Sequence, residues 1–458
     1  MAKRSVSIEG ALVALVDEKK YKTVKDILVT MNPADVVSVF EDMEPDRVQL
    51  LFRMLPKETA ADVFVEMSPE NQQMLIKGFS DVQLKEFFDE LYIDDAVDII
   101  EEMPANVVER ILSQADPQAR KQINEILRYP ENSAGSLMTT EYVSLRPEMT
   151  VSEAILRIRR TGVDKETIYT CYVTQKNKLL GFVSVKDLLV SQNDNATMEE
   201  MMDTNVISVN TFTDQEEVAQ MFSKYDFIAL PVVDTENRLV GIITVDDAMD
   251  VMEDEVTEDF SIMGGITPSD KTYLRSSTLE VFKRRIPWLM LLMVTATFTS
   301  MIINKFEAAL AAQAALTAFI PMLMDTGGNS GSQASITVIR ALTLNEIDFK
   351  DIFKVLWKEI RVAVLCGLAL STVCFLKVWF IDRALLGNSD ITLLVAIVIT
   401  LSIAVTVFLA KVIGGFLPMV AKKIGFDPAV MASPLITTAV DALSLLVYFG
   451  IATMLLFK

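Results

Sequence analysis

The C-terminal part of the chain is dominated by long runs almost free of charge, and such runs admit few architectures. Five apolar stretches lie near Pro287–Ile303, Ala308–Ile339, Val362–Ile381, Ile391–Ala410 and Ala429–Phe457. A helix needs about 20 such residues to cross a ~30 Å hydrocarbon core. The last run is the most informative, because between Pro428 and Phe457 its single charge is Asp441. A carboxylate at bilayer depth costs roughly 3 kcal/mol or more, and it either lines an ion path or hydrogen-bonds a neighbouring span. The second stretch contains Pro321 and Asp325-Thr-Gly-Gly-Asn-Ser-Gly331, which predicts a broken helix. Irregular backbone at that depth is tolerated only where it lines a cavity or is buried in protein.

Charge separates the chain into two parts. Of 42 Lys/Arg and 62 Asp/Glu, 14 and 10 lie from Arg284 onward, leaving 28 and 52, a net −24, in residues 1–283. An acidic region of this kind attracts cations and argues against nucleic acid as a partner. Histidine is absent and there are three cysteines, Cys171, Cys366 and Cys374, so neither a zinc cluster nor imidazole catalysis is expected. No nucleophile–base constellation suggests an enzyme. Arg284, Arg285, Arg340, Lys350, Lys354, Lys358, Arg361, Lys411, Lys422 and Lys423 fall before the first span or in alternate loops. The positive-inside rule then places the N-terminal part in the cytoplasm and the C-terminus outside an inner or plasma membrane.

Two repeats organise the acidic part. Asp35-Val-Val-Ser-Val-Phe-Glu-Asp-Met-Glu-Pro, Asp62-Val-Phe-Val-Glu-Met-Ser-Pro and Asp98-Ile-Ile-Glu-Glu-Met-Pro mark short amphipathic helices. Each is too short to bury a face alone, so a stacked superhelix is expected. Gly181-Phe-Val-Ser-Val-Lys-Asp187 returns sixty residues later as Gly241-Ile-Ile-Thr-Val-Asp-Asp247, each preceded by a helix and a β-rich run. This second repeat resembles a tandem pair of CBS domains. In that family the positions of Ser184, Asp187, Thr244 and Asp247 can hold an adenosine ribose. A hydroxyl and a carboxylate one turn apart can grip a diol, but the hydroxyls can equally cap the helices that follow. After the second module, Asp247, Asp250, Asp254, Glu255, Glu258 and Asp259 crowd one segment up to Gly264-Gly265. These acids are either a solvated helix face or a cation site. A further helix is expected from Thr267-Pro268 through Tyr273 and Leu279 to Arg284.

The whole layout resembles the MgtE family of magnesium channels. The resemblance rests on Tyr129-Pro-Glu-Asn-Ser-Ala-Gly135-Ser-Leu-Met138, on Pro321 with Gly328-Asn329-Ser-Gly331-Ser-Gln333, and on Pro434-Leu-Ile-Thr437-Thr-Ala-Val-Asp441. It implies a multidomain fold: an all-α superhelical N-domain (1–130), α/β CBS modules (131–200 and 201–254), a connecting or plug helix (255–285) and a transmembrane pore domain with five spans (286–458). It further implies a homodimer in the lipid bilayer that takes up Mg2+ through a pore at Asp441 and Thr437. Pro434, Asn329 and Gln333 would shape that pore. Regulatory Mg2+ would be held among Asp94, Asp95, Glu216, Asp226, Asp247, Asp250, Glu255, Glu258 and Asp259, with ATP a further candidate ligand of the CBS pair. Ser433 stands where some relatives carry Asn, which makes it a weaker guide to ion position. A carrier for divalent cations such as Co2+ or Mn2+, which broken helices suit, and a membrane-tethered adenine-nucleotide sensor are the alternatives.

Overall fold

The computed structural model describes residues 8–456 apart from residues 42, 270–272, 274–275, 308–310 and 312. It divides into two compact units, residues 1–252 and 253–458.

The first unit begins with a run of ten short helices, from Ile8–Asp17 to Pro117–Ile126. Proline sets their length. Pro45, Pro69 and Pro117 occupy first turns and Pro56 and Pro104 the caps, positions where a missing N–H costs nothing and a continuing helix is blocked. A residue one or two before each of these prolines closes the preceding turn, and Met67 and Met103, which do so, are buried. Helices pack mostly on the second helix along, Pro33–Glu41 on Lys57–Val65 and Ile93–Glu101 on Pro117–Ile126 among them, as a superhelix requires.

Two three-stranded sheets follow: β1 (Ser144–Leu145), β2 (Thr170–Gln175) and β3 (Lys178–Ser184), then β4 (Val209–Asn210), β5 (Ala229–Val233) and β6 (Leu239–Thr244). In each sheet the first pair is parallel and the second antiparallel. The repeated glycines now have a reason. A Cβ on Gly241 would lie 2.7 Å from the Thr139 carbonyl and the Met138 sulfur, and one on Gly181 would lie 2.7 Å from the Asp203 carbonyl. Thr139 bridges to Ile242, and Asp203 to Phe182. The turn that opens each module therefore crosses the sheet of the other, and only glycine lets it pass that closely. One hydrophobic core runs from Leu12 through the short helices to Val232, Ile243 and Ala248.

In the second unit, four helices among the described residues are long and apolar enough to cross a membrane: Thr278–Lys305, Phe349–Leu385, Leu393–Lys423 and Pro428–Leu456. The expected crossing at Ala308–Ile339 is not among them. Its described part takes the form of a 3₁₀ segment, Ala314–Phe319, followed by a helix, Ile320–Thr343, so the expected break falls at Pro321 and not at Asp325–Gly331. Pro321 sits in the first turn, and the glycines serve packing. A Cβ on Gly327 would lie 2.7 Å from Thr406 and Ser444 side chains. On Gly328 it would lie 2.8 Å from Thr437, and on Gly331 2.8 Å from Ile436. Small residues let backbones approach where lipid offers no hydrophobic drive.

Two further expectations change. The helix entering the membrane starts at Thr278, capped reciprocally by Ser277 and Glu280, rather than at Thr267. Lys411 belongs to no loop: it is buried inside Leu393–Lys423, with Glu359, also buried, as its countercharge from the preceding helix. Lys422 and Lys423 still supply positive charge at that end. Replacing Gly331 with valine is expected to cost about 1–3 kcal/mol by overpacking and to lower the thermal unfolding temperature of the detergent-purified protein; an unchanged transition would show that the helices can move apart freely.

Candidate functional site

Within the second unit, Ile320–Thr343 and Ser433–Leu456 run against one another along the glycine row. Asp441 is half-buried, and its Oδ1 has no hydrogen-bond partner. A Cβ built on Gly328 would come within 3.6 Å of that oxygen. Thr437, one turn earlier, has its hydroxyl 3.3 Å from that of Ser332. The Asn329 amide does not serve Asp441 but donates to Asp325 Oδ1 at 3.1 Å, and the Asp325 carboxylate acts electrostatically on Asp441. Asp325, Asn329, Gln333 and Thr337 recur at every fourth position and all are exposed on the chain. A polar stripe on a helix at membrane depth faces protein or water, not lipid.

The end of the acidic helix Val245–Met263 meets the entrance of the last helix. Ile262 and Met263 pack on Ile339, Ala429 and Ala432. The turn that ends it carries Gly265 at φ +67°, and a Cβ there would lie 3.3 Å from Pro434 and 3.7 Å from Trp288. Asp259 accepts a hydrogen bond from the Thr343 hydroxyl at 3.2 Å, while burial, with Asp427 as the next contributor, pushes its carboxyl above the usual range. Asp427 carried no signal in the sequence beyond being an acid before a proline.

The first unit gathers its own carboxylates. Asp94 and Asp95 lie in the first turn of Ile93–Glu101, Asp98 one turn on, and Asp247 in the first turn of Val245–Met263. Burial and then the Asp247 charge raise Asp94 well above the ordinary range and push Asp95 and Asp98 up to about 7. Burial likewise takes Asp247 to about 6, against the lowering effect of Thr244. Two glutamates that the sequence reading missed join them. Glu166 is raised to about 8 by burial, then by Asp95 and Asp247. Carboxylate oxygens of Asp94, Glu141 and Glu166 lie within 4.8 Å of one another. No lysine or arginine acts on Asp94, Asp95, Asp98 or Glu166 among the described residues.

Other expected ligands are dispersed. Glu216 and Asp226 stand at opposite ends of Gln215–Tyr225, about 15 Å apart at 1.5 Å per residue, too far to share an ion within one chain. Asp250 is exposed. Glu255 and Glu258 lie on Val245–Met263 in the same unit as Asp259. Ser184 Oγ donates to Asp187 Oδ2 at 2.6 Å and receives the Asp187 amide at 3.0 Å, and Thr244 pairs with Asp247 in the same way through its hydroxyl. Ser184 thus caps its helix, and in both motifs hydroxyl and carboxylate stand side by side.

Known proteins match this arrangement from end to end. A family model for MgtE divalent cation transporters matches residues 320–451, one for the MgtE intracellular N domain 31–132, and one for CBS domains 134–193 and 198–254. The magnesium transporter MgtE of Thermus thermophilus is 37% identical over 99% of both chains. The chain belongs to the MgtE family of magnesium transporters. The Bacillus subtilis MgtE is 31% identical over 96% of both chains. Among solved structures, the cytosolic domain of the Mg2+ channel MgtE in complex with ATP is 37% identical, with a TM-score of 0.51. That match covers 53% of this chain and all of the other. The paired CBS modules and the helical N-domain expected from sequence are thereby borne out.

The acid cluster of the first unit has a definite pH signature. Its carboxyls have folded pKa values above their unfolded ones. Their contribution to stability is therefore present below about pH 4 and lost as pH rises through 6 to 8. In chelator, the unfolding temperature of the first unit, followed by calorimetry on the full chain, is expected to fall between pH 5.5 and 8 and to recover on adding Mg2+. A profile flat over that interval, with or without Mg2+, would contradict the cluster.

Proposed function

We propose that this chain conducts Mg2+ along a path lined by Ile320–Thr343 and Ser433–Leu456, with Asp441 and Thr437 at the ion site. The observation that carries this reading is the Asp441 Oδ1, left without a hydrogen-bond partner against Gly328 at membrane depth. An acid held this way is stabilised by a cation. Mg2+ gives up water reluctantly, so carboxylate and hydroxyl oxygens would meet it through its hydration shell. Pro434 starts the helix that carries both residues, and the stripe of Asp325, Asn329 and Gln333 faces the same path.

Ile320–Thr343 is the fifth crossing in this reading. At 24 residues it spans about 36 Å. It fails as an apolar span because one face is glycine packed on its neighbours and the other is polar. Five crossings put the N-terminal part in the cytoplasm and the C-terminus outside the plasma or inner membrane. One chain supplies one Asp441, and a homodimer about a twofold axis sets two facing each other. An unbroken helix through Asp325–Gly331 also removes the feature that favoured a carrier.

Closure follows from the acids. Mg2+ bound among Asp94, Asp95, Asp247, Asp250 and the Glu216, Asp226, Glu255, Glu258 and Asp259 carboxylates neutralises their repulsion and compacts the cytosolic part. Gly264-Gly265, seated on Pro434, transmits that state to the pore mouth. Closure requires tighter cation binding in the closed state. An adenine nucleotide at Ser184, Asp187, Thr244 and Asp247 would bias the same equilibrium; the related cytosolic domain crystallised with ATP supports this part.

The test is Mg2+ flux into liposomes carrying the purified protein. Asp441→Ala is expected to reduce flux to that of empty liposomes while the protein stays folded, and undiminished flux would sink the pore assignment. Replacing Asp247, Asp250 and Asp259 together with Ala is expected to leave flux running at millimolar Mg2+ on the cytosolic side, where the native protein closes; closure at the native concentration would refute the gate.

A further inference from the structure

We propose that the start of the helix Phe349–Leu385 is a binding site for anionic phospholipid, with Lys350, Lys354, Lys358 and Arg361 on the headgroup phosphate and Phe353 and Trp357 against the acyl chains beside it. The site lies on residues outside the ion path and outside the acid cluster of the first unit, and it depends on neither.

Helix length sets the condition. At 37 residues the segment is about 55 Å long, against a hydrocarbon core of ~30 Å. Even at a tilt of about 40° it outruns that core, so part of it stands among headgroups. The side chains mark which part. Val364, Leu365 and Leu368 are exposed and apolar, and the turns before them expose Arg361, Lys358, Trp357, Lys354 and Phe353. At about 100° per residue all of these fall within one arc of about 140°. Ala363, Gly367 and Glu359, from the other side of the helix, are buried. The outward face thus changes from apolar to basic within one turn at Arg361, as a helix leaving hydrocarbon for phosphate requires.

The cations on this face are available. Among the described residues Lys350, Lys358 and Arg361 form no ion pair, while Lys354, 84% exposed, has Asp351 at 2.7 Å. Glu359 feels the charge of Lys411 before that of Lys358. Arg361 Nε donates to the Trp357 carbonyl at 3.3 Å, and the guanidinium stands 5.9 Å from the Trp357 ring centre. That leaves its terminal nitrogens for the two-pronged phosphate contact arginine favours. Lys423 adds charge from the next helix, seated 4.1 Å over the Phe349 ring. The rings decide the source of the phosphate. Phe353 is 82% exposed and Trp357 60%. A free phosphate would use the cations alone, whereas two bare rings on the same face select a ligand that carries acyl chains.

Native mass spectrometry of the full chain in detergent, titrated with phosphatidylglycerol or phosphatidylcholine, tests the site. The native chain is expected to bind phosphatidylglycerol at least about tenfold more tightly than phosphatidylcholine. Lys354→Gln/Lys358→Gln/Arg361→Gln is expected to weaken phosphatidylglycerol binding at least about tenfold, since each cation near an anionic surface contributes about fivefold. Lys358→Gln alone, at an exposed position that tolerates glutamine, is expected to cost about fivefold and keeps the test valid if the triple variant folds poorly. Arg146→Gln/Arg159→Gln/Arg160→Gln removes the same charge from exposed positions of the first unit and is expected to leave lipid binding unchanged. Millimolar glycerol phosphate is expected not to displace the lipid. Equal affinity for the two lipids, native affinity in Lys358→Gln and the triple variant, or an equal loss in the first-unit variant would overturn the site. Displacement by glycerol phosphate would overturn phospholipid as its ligand.

Discussion

Negative charge without countercharge governs this protein. In both units carboxylates are drawn at least partly out of water with no lysine or arginine among the described residues acting on them: Asp94, Asp95 and Glu166 in the first, Asp441 in the second. Such groups are unfavourable in isolation, and a hard cation relieves them best. The contrast with Glu359 is instructive. It too is buried, but the Lys411 charge acts on it from the next helix, whereas among the described residues no lysine or arginine is seen to act on Asp441.

Everything else serves to place those carboxylates. In the membrane unit, Gly327, Gly328 and Gly331 bring Ile320–Thr343 so close to Ser433–Leu456 that side chains on one touch backbone on the other. The same contact leaves Asp325, Asn329 and Gln333 on an adjoining, exposed face, with Asp325 close enough to act on Asp441. In the first unit, Gly181 and Gly241 let each module's opening turn cross the other's sheet. That crossing delivers Glu141. Glycine thus acts in both units by permitting approach, not by bending the chain.

Much of this was legible from residue patterns. The superhelix was visible in the recurring Met-x-Pro and Met-Pro endings, and the paired modules in the sixty-residue echo of Gly-x-x-Ser/Thr. Asp441 declared itself as a lone charge. The misreadings have one cause. The glycines in Ile320–Thr343 suggested a break, because sequence shows their cost to an isolated helix and not the packing that offsets it. Lys411 was assigned to a loop because its partner, Glu359, lies 52 positions away in another helix. Glu141 and Glu166 lacked any periodic signal, since they sit in non-helical segments.

By itself the sequence determined what is local or periodic: which segments are apolar enough for the membrane, where short helices stop, which module is repeated, and that the soluble part is strongly acidic. These follow from hydropathy and turn chemistry, which act over a few residues. Tertiary structure decided which acids meet. Asp94 joins Glu141 and Glu166, Asp259 joins Thr343, and Gly265 joins Pro434 only after segments remote in the chain have packed. Charge repulsion and ion binding depend on distances of a few ångströms in space, and no spacing along the chain encodes those.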